Sequence, residues 1–191
     1  MNGEESLEIV LIRHGEPDYQ PCYDKGFIGH GKDLAALTNA GVNQAEAVSR
    51  DPLLNGSQMI VSSPYTRALQ TAAIISKNTM LNIAVELDLH EFLPDKTYQY
   101  KGQKESDQLH RDFLNCSGEY PANETRRWET ITEIKYRAKG VADKYLHLGY
   151  QKIIVVAHGG IIRRFTGLAE VAFCQPYRIT YMDSSSLYGW I

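Results

Sequence analysis

Two apolar runs that each stop at a histidine and then a glycine constrain this chain most. Leu7 to Ile12 runs straight into Arg13-His14-Gly15-Glu16, and Lys152 to Ala157 runs into His158-Gly159-Gly160. Short continuous apolar runs of this kind read as buried strands of a sheet covered on both faces. Gln58 to Ser62 reads the same way, and Ile83 to Leu89 alternates less cleanly but still suits a strand. In an open α/β sheet, ligands bind outside the carboxyl ends of the strands. His14 and His158 are therefore expected to face one crevice.

Helical segments separate the strands. Thr38 suits an N-cap for a helix over 39–50, with Val42, Ala45 and Val48 turned to the core. Ser63-Pro64 reads as a helix start, serine as cap and proline at the first helical position, for a helix reaching about Lys77. Further helices are expected over 128–148 and 159–165, with a short one near 106–114. Ile179 to Tyr181 and Ser186 to Ile191 read as closing β segments. The βαβα alternation predicts a three-layer α/β/α fold around a mostly parallel sheet. With 191 residues, one domain spanning 1–191 is expected. The stretch 92–125, with Pro94, Pro121 and many charges, is read as an insertion over the active site.

A net charge of −3 argues against general nucleic-acid binding. No apolar run approaches the roughly 20 residues that span a bilayer, and the acidic Met1 to Glu5 lacks the features of a signal peptide. Cys22, Cys116 and Cys174 are scattered and form no CxxC pair. Neither a zinc ribbon nor a disulfide framework is expected, and a reducing, cytoplasmic setting fits.

The strand ends carry the chemistry. A neutral imidazole can attack phosphorus, and neighbouring arginines keep it neutral while stabilising the equatorial oxygens of the transferring group. Arg13 and Arg67 supply planar forks suited to phosphate. Arg67 falls in the first turn of its expected helix, whose N-terminus adds to the positive field. Gly15, Gly159 and Gly160 are expected to let backbone approach the ligand. His158 is expected to donate to a phosphate oxygen, as an imidazolium held by the dianion. Glu91, at the end of the fourth expected strand, is the candidate to protonate the leaving oxygen, with Asp88 and Glu86 as fallback acids.

Taken in order, these segments resemble the histidine phosphatase superfamily, the phosphoglycerate-mutase-like proteins. Arg13-His14-Gly15 resembles the family signature. So do Leu37-Thr38 with Gly41 and Gln44-Ala45, Ser62-Ser63-Pro64 with Arg67-Ala68 and Gln70-Thr71-Ala72, and His158-Gly159-Gly160 with Arg163. The resemblance runs from Ile9 nearly to the C-terminus. It implies that His14 is the phosphorylated nucleophile, that Arg13, Arg67 and His158 form the phosphate pocket with it, and that Glu91 is the proton donor. Two departures stand out. Gln20 occupies a position where many members carry a phosphate-contacting Asn. Phe92-Leu93-Pro94-Asp95-Lys96 replaces a Gly-x-x-Glu-Gly-type stretch.

The expected function is a metal-independent phosphomonoesterase without a cofactor, acting on a small phosphorylated substrate or a phosphoprotein. A phosphoglycerate mutase of the same fold is the alternative. However, mutases of the family are longer and more basic in the insertion, and Pro121 to Trp128 does not match their Arg-Arg segment. A non-catalytic phosphate-binding module conflicts with the joint presence of Arg13, His14, Arg67, Glu91 and His158. A metallohydrolase lacks support from any His-x-x-x-His spacing. His30, His110 and His147 read as surface or capping histidines, Arg163 as a structural ion-pair partner, and Glu16 as a supporting group. Lys96, Lys101, Lys104, Arg126 and Arg127 read as a solvated face. Tyr19, Tyr23, Phe27, Tyr98 and Tyr100 are candidates for an aromatic wall.

Overall fold

A computed structural model describes residues 5–27 and 29–189. Five strands, β1 (Ser6–Arg13), β2 (Ile60–Ser62), β3 (Ile83–Val85), β4 (Lys152–Ala157) and β5 (Pro176–Met182), form one sheet in the order β3-β2-β4-β1-β5. β1 to β4 are parallel, and β5 closes the sheet antiparallel to β1. The fold is α/β with a mostly parallel sheet, as the alternation of segments implied.

Period-2 side-chain alternation builds the three layers. Leu7, Ile9 and Leu11 of β1, with Ile153, Val155 and Ala157 of β4, pack on one face against α5 (Ile131–His147) and α6 (Gly159–Thr166). Val10, Ile12, Ile154 and Val156 face the other way, against α2 (Asn39–Val48) and α3 (Thr66–Thr79). This is why both strands read as unbroken apolar runs. The β1–β4 register aligns Arg13 with Ala157, so His14 and His158 leave the sheet side by side.

Helix boundaries follow local chemistry. Thr38 caps α2, accepting from the Gly41 N–H. Thr130 caps α5 in a reciprocal capping box with Glu133, and the fully buried Trp128 lies ahead of that helix. A one-turn helix, α1 (Gln20–Asp24), was not anticipated. The segment 92–125 carries α4 (Gln103–Asn115), packed through Phe113 on Trp128 and Ile131.

Three expectations need correction. α3 starts at Thr66 with Tyr65 at its cap position, because the Ser63 hydroxyl is engaged elsewhere. β3 ends at Val85, and a 3-10 turn over Leu87–Leu89 follows, so Glu91 does not terminate a strand. Ser186 to Gly189 form no strand. Instead Tyr188 and Gly189 bond to Arg164 on α6, while Trp190 and Ile191 lie outside the described residues.

Gly15 serves packing. A Cβ there would stand 2.5 Å from the Gly41 carbonyl oxygen, and one on Gly41 would stand 2.3 Å from that of Glu16. The two glycines let the loop after β1 lie directly on α2.

Candidate active site

The carboxyl ends of β1, β2 and β4 bring the side chains of His14, Ser63 and His158 together. His14 is 4% exposed, and its Nδ1 lies 2.8 Å from the Gly15 carbonyl. That contact requires the proton on Nδ1 and leaves the Nε2 lone pair facing outward, where Arg67 Nε donates to it at 3.2 Å. Burial pushes the His14 imidazole from 6.5 down to about 3, reinforced by the charges of Arg67 and Arg13 and opposed by the Gly15 carbonyl. The ring is therefore held neutral, as phosphoryl attack requires.

His158, fully buried, stands with its ring centroid 5.0 Å from that of His14. The Ser63 hydroxyl lies 2.7 Å from its Nε2, and the Tyr65 N–H approaches the same hydroxyl oxygen at 3.4 Å. Burial, then the charge of Arg67, holds His158 well below the usual imidazole range. The ring is thus neutral as it stands here. With Ser63 donating to Nε2, the proton sits on Nδ1, a buried atom with no partner.

Two arginines flank the pair. Arg67, in the first turn of α3, also bonds Asp33 through Nη1 at 3.2 Å, and the Tyr65 ring lies 4.9 Å from its guanidinium carbon. Arg13 donates from Nη1 to the Val171 carbonyl at 2.8 Å and stacks 4.0 Å over Phe173, leaving a buried Nε without a partner. Gly159 lies beside it, where a Cβ would come 3.8 Å from Arg13 Nε.

Glu91 reaches the same place from the far side. Its carboxylate accepts from the Phe92 N–H at 2.9 Å and from the Gly160 N–H at 3.2 Å. A Cβ on Gly160 would stand 2.3 Å from Glu91 Oε1, so this glycine accommodates the carboxylate. The fallback acids lie elsewhere. Glu86 is bound to Lys144 and Tyr145, and Asp88 is exposed beyond His90.

The structure does not bring Gln20 to the site. It opens α1 with its side chain exposed and donating to Asp24 at 2.8 Å, an i,i+4 pair that turns the amide outward.

A cavity of about 250 Å³ opens over Arg67 and Glu91, walled by Tyr19, Tyr23, Tyr65 and Tyr100. Three of these tyrosines belong to the anticipated wall. Phe27 is instead exposed, and Tyr98 stacks on His30. His30 is no bland surface group: it lines this cavity, 3.3 Å from both Asp33 and the Asp95 carbonyl. Several cations in or beside the insertion are paired: Lys96 with Glu133, Arg126 with Asp112 and Glu124, Arg127 with Asp95 and Glu105. Glu16 accepts from Thr38 and supports the start of α2.

Sequence reasoning missed Asp33, Tyr65 and Phe173. Asp33 and Phe173 sit in a 3-10 turn and a loop, where no apolar period marks position. Tyr65 lies inside the quoted Ser62-to-Ala72 segment and could have been found from its adjacency to Arg67. Among the described residues, no group of three or more His, Cys, Asp or Glu side chains is placed to hold a metal, and no helix is long and apolar enough to cross a membrane.

A family model described as the histidine phosphatase superfamily (branch 1) matches residues 9–187. The chain is 30% identical over 173 residues to a Bacillus subtilis protein named "Uncharacterized phosphatase PhoE", covering 88% of this chain and 79% of that one. It is 25% identical over 202 residues to a Yersinia pestis protein named "Probable phosphoglycerate mutase GpmB", covering 97% and 90%. The solved structure of Bacillus stearothermophilus YhfR superimposes with a TM-score of 0.68 at 18% identity, over 96% of this chain and 95% of that one.

Proposed function

The chain belongs to the histidine phosphatase superfamily, and from that premise we propose that it is a metal-independent phosphomonoesterase working through a phosphohistidine on His14. The observation that carries the reading is the state of His14. It is a buried neutral imidazole, its Nδ1 proton fixed on the Gly15 carbonyl and its Nε2 lone pair turned to Arg67.

In the first step Nε2 attacks phosphorus, the N–P bond forms and the bond to the leaving oxygen breaks. Glu91, entering as the acid, gives that oxygen its proton. Arg13 Nε, Arg67 and the His158 Nδ1–H supply donors to the equatorial oxygens, where charge spreads in the transition state. In the second step water attacks the phosphohistidine. Glu91, now a carboxylate held by the Phe92 and Gly160 N–H groups, takes the proton of that water and His14 is released. The arginines supply the positive charge that a Lewis-acid metal provides in other phosphatases. The tyrosine-walled cavity beside Arg67 and Glu91 takes the leaving group of a small phosphorylated substrate.

A panel of phosphate esters assayed by phosphate release, with and without a chelator, tests this reading. Turnover that survives exhaustive chelation, is inhibited by vanadate and is lost in His14→Ala supports it. A requirement for magnesium or zinc, or near-normal activity in His14→Ala, contradicts it.

A further inference from the structure

The tyrosine-walled cavity holds a histidine that the two reaction steps leave unused. His30 belongs to a 3-10 turn over Gly29–Leu34, which also carries Asp33. Gly29 opens the turn at φ +60°, and a Cβ on it would stand 3.1 Å from the Tyr100 carbonyl oxygen, so the turn lies directly on the insertion. There the His30 ring centroid is 4.2 Å from that of Tyr98 and 5.3 Å from that of Tyr100.

Both ring nitrogens of His30 face acceptors. Nδ1 lies 3.3 Å from Asp33 Oδ2, and Nε2 lies 3.3 Å from the Asp95 carbonyl oxygen. The carboxylate is the stronger acceptor of the two, so the ring keeps a proton on Nδ1 and donates it to Asp33. The far end of this bridge is firmly held. Asp95 is fully buried, and its carboxylate accepts from Thr97, Gln99 and Arg127.

Asp33 is thereby shared between two partners. Its Oδ2 faces His30, while its Oδ1 accepts from Arg67 Nη1 at 3.2 Å. Among the described residues it has no other ion-pair partner. Arg67 in turn reaches His14 through Nε. One line of contacts thus runs from the insertion to the nucleophile, through the Asp95 carbonyl, His30, Asp33 and Arg67. Donation from His30 draws the carboxylate charge away from Arg67. Without that donation the full charge falls on Arg67, which then attracts a phosphoryl dianion less strongly.

We infer that His30 is a positioning residue for phosphoryl binding: it holds the Asp33 carboxylate from the insertion side and so leaves Arg67 more strongly cationic toward the phosphoryl group. The inference rests on the reading of Arg67 as a phosphate ligand, and its test needs no turnover.

Isothermal titration of the full chain with inorganic phosphate is that test. His30→Phe keeps a ring against Tyr98 and Tyr100 and removes both nitrogens. Phosphate should then bind about fivefold more weakly, the order expected of a partly exposed charge contact. His30→Asn, whose amide can donate from nearly the place of Nδ1, should recover most of that loss. In an Asp33→Asn background His30→Phe should have no further effect, because the charge through which it acts is gone. A merely structural role would weaken binding equally in both backgrounds. The ¹⁵N spectrum of the wild-type His30 ring at neutral pH should show a protonated Nδ1, a readout that stands whether or not the variants fold. Wild-type affinity in His30→Phe, equal loss in both backgrounds, no recovery in His30→Asn, or an unprotonated Nδ1 overturns the inference while leaving the phosphatase reading in place. Failure of the wild-type chain to bind phosphate contradicts the phosphatase reading, and the inference with it.

Discussion

Ser63 Oγ stands 2.7 Å from His158 Nε2, across the ends of β2 and β4, and by donating there it sets which ring nitrogen of His158 carries the proton. Without it the proton is free to move to Nε2, and the buried Nδ1 would then present a lone pair to an anion. Ser63→Ala should therefore cost kcat/KM about 10–100-fold, the value of one hydrogen bond to a charged group. Steady-state kinetics, with circular dichroism as a fold control, measure this. Unchanged kcat/KM in a folded variant would remove Ser63 from the account.

Gly160 offers a test of the acid that leaves the carboxylate in place. The nearest atoms a methyl group there meets are those of the flexible Glu91 carboxylate, so Gly160→Ala should fold normally while displacing the carboxylate. It should mimic Glu91→Gln, losing about 10²–10⁴-fold on alkyl phosphates, the usual range for acid–base catalysis. It should lose less in the pre-steady-state burst with a nitrophenyl ester, whose leaving group needs no proton. The double variant should lose little more than either single one, since both remove the same interaction. Full additivity would show that the two residues act separately.

Asp33 places a negative charge on the guanidinium that is to receive a dianion. Arg67 has two further contacts besides Asp33, the hydrogen bond to His14 and the Tyr65 ring. Asp33→Asn should thus tighten inhibition by inorganic phosphate several-fold, about 1 kcal/mol for a partly exposed charge pair. Weaker inhibition would mean that Asp33 instead positions Arg67.

The buried histidines set an acid limit on stability. His14 titrates at about 3 in the folded chain against 6.5 for an exposed imidazole, and His158 and His90 are also lowered, chiefly by burial. Between those values the unfolded chain binds more protons, so stability rises with pH there. The contribution is complete above about 6.5 and is lost as pH falls toward 3. Denaturant melts of the ligand-free protein across this window should show a shallower pH slope in His14→Ala than in the wild type. Parallel slopes would contradict the assignment of a neutral buried His14.

What was legible in the sequence follows from periodicity. β1 and β4 are buried on both faces, so their apolar runs and the histidines that end them could be read directly. Thr38 could be read as a cap because its hydroxyl oxygen accepts from the Gly41 N–H while its proton goes to the neighbouring Glu16. Ser63 could not, since its hydroxyl is claimed by a histidine 95 residues away. β3 was overextended because it is a three-residue edge strand, and the apolar Leu87 beyond it is 74% exposed. The family resemblance points to Gln20, but a local bond to Asp24 decides where its amide points. Asp33 and Phe173 reach the site from segments whose course depends on tertiary packing, and no local pattern announces them.

The central claim is a covalent phosphohistidine on His14. Rapid acid quench of the wild-type chain with a ³²P-labelled phosphate ester, followed by peptide mapping under alkaline conditions, tests it most directly. The account requires label that is acid-labile and base-stable, confined to the peptide containing His14 and absent from His14→Ala. Turnover with no trapped label at any quench time, or label on a residue other than His14, would contradict it.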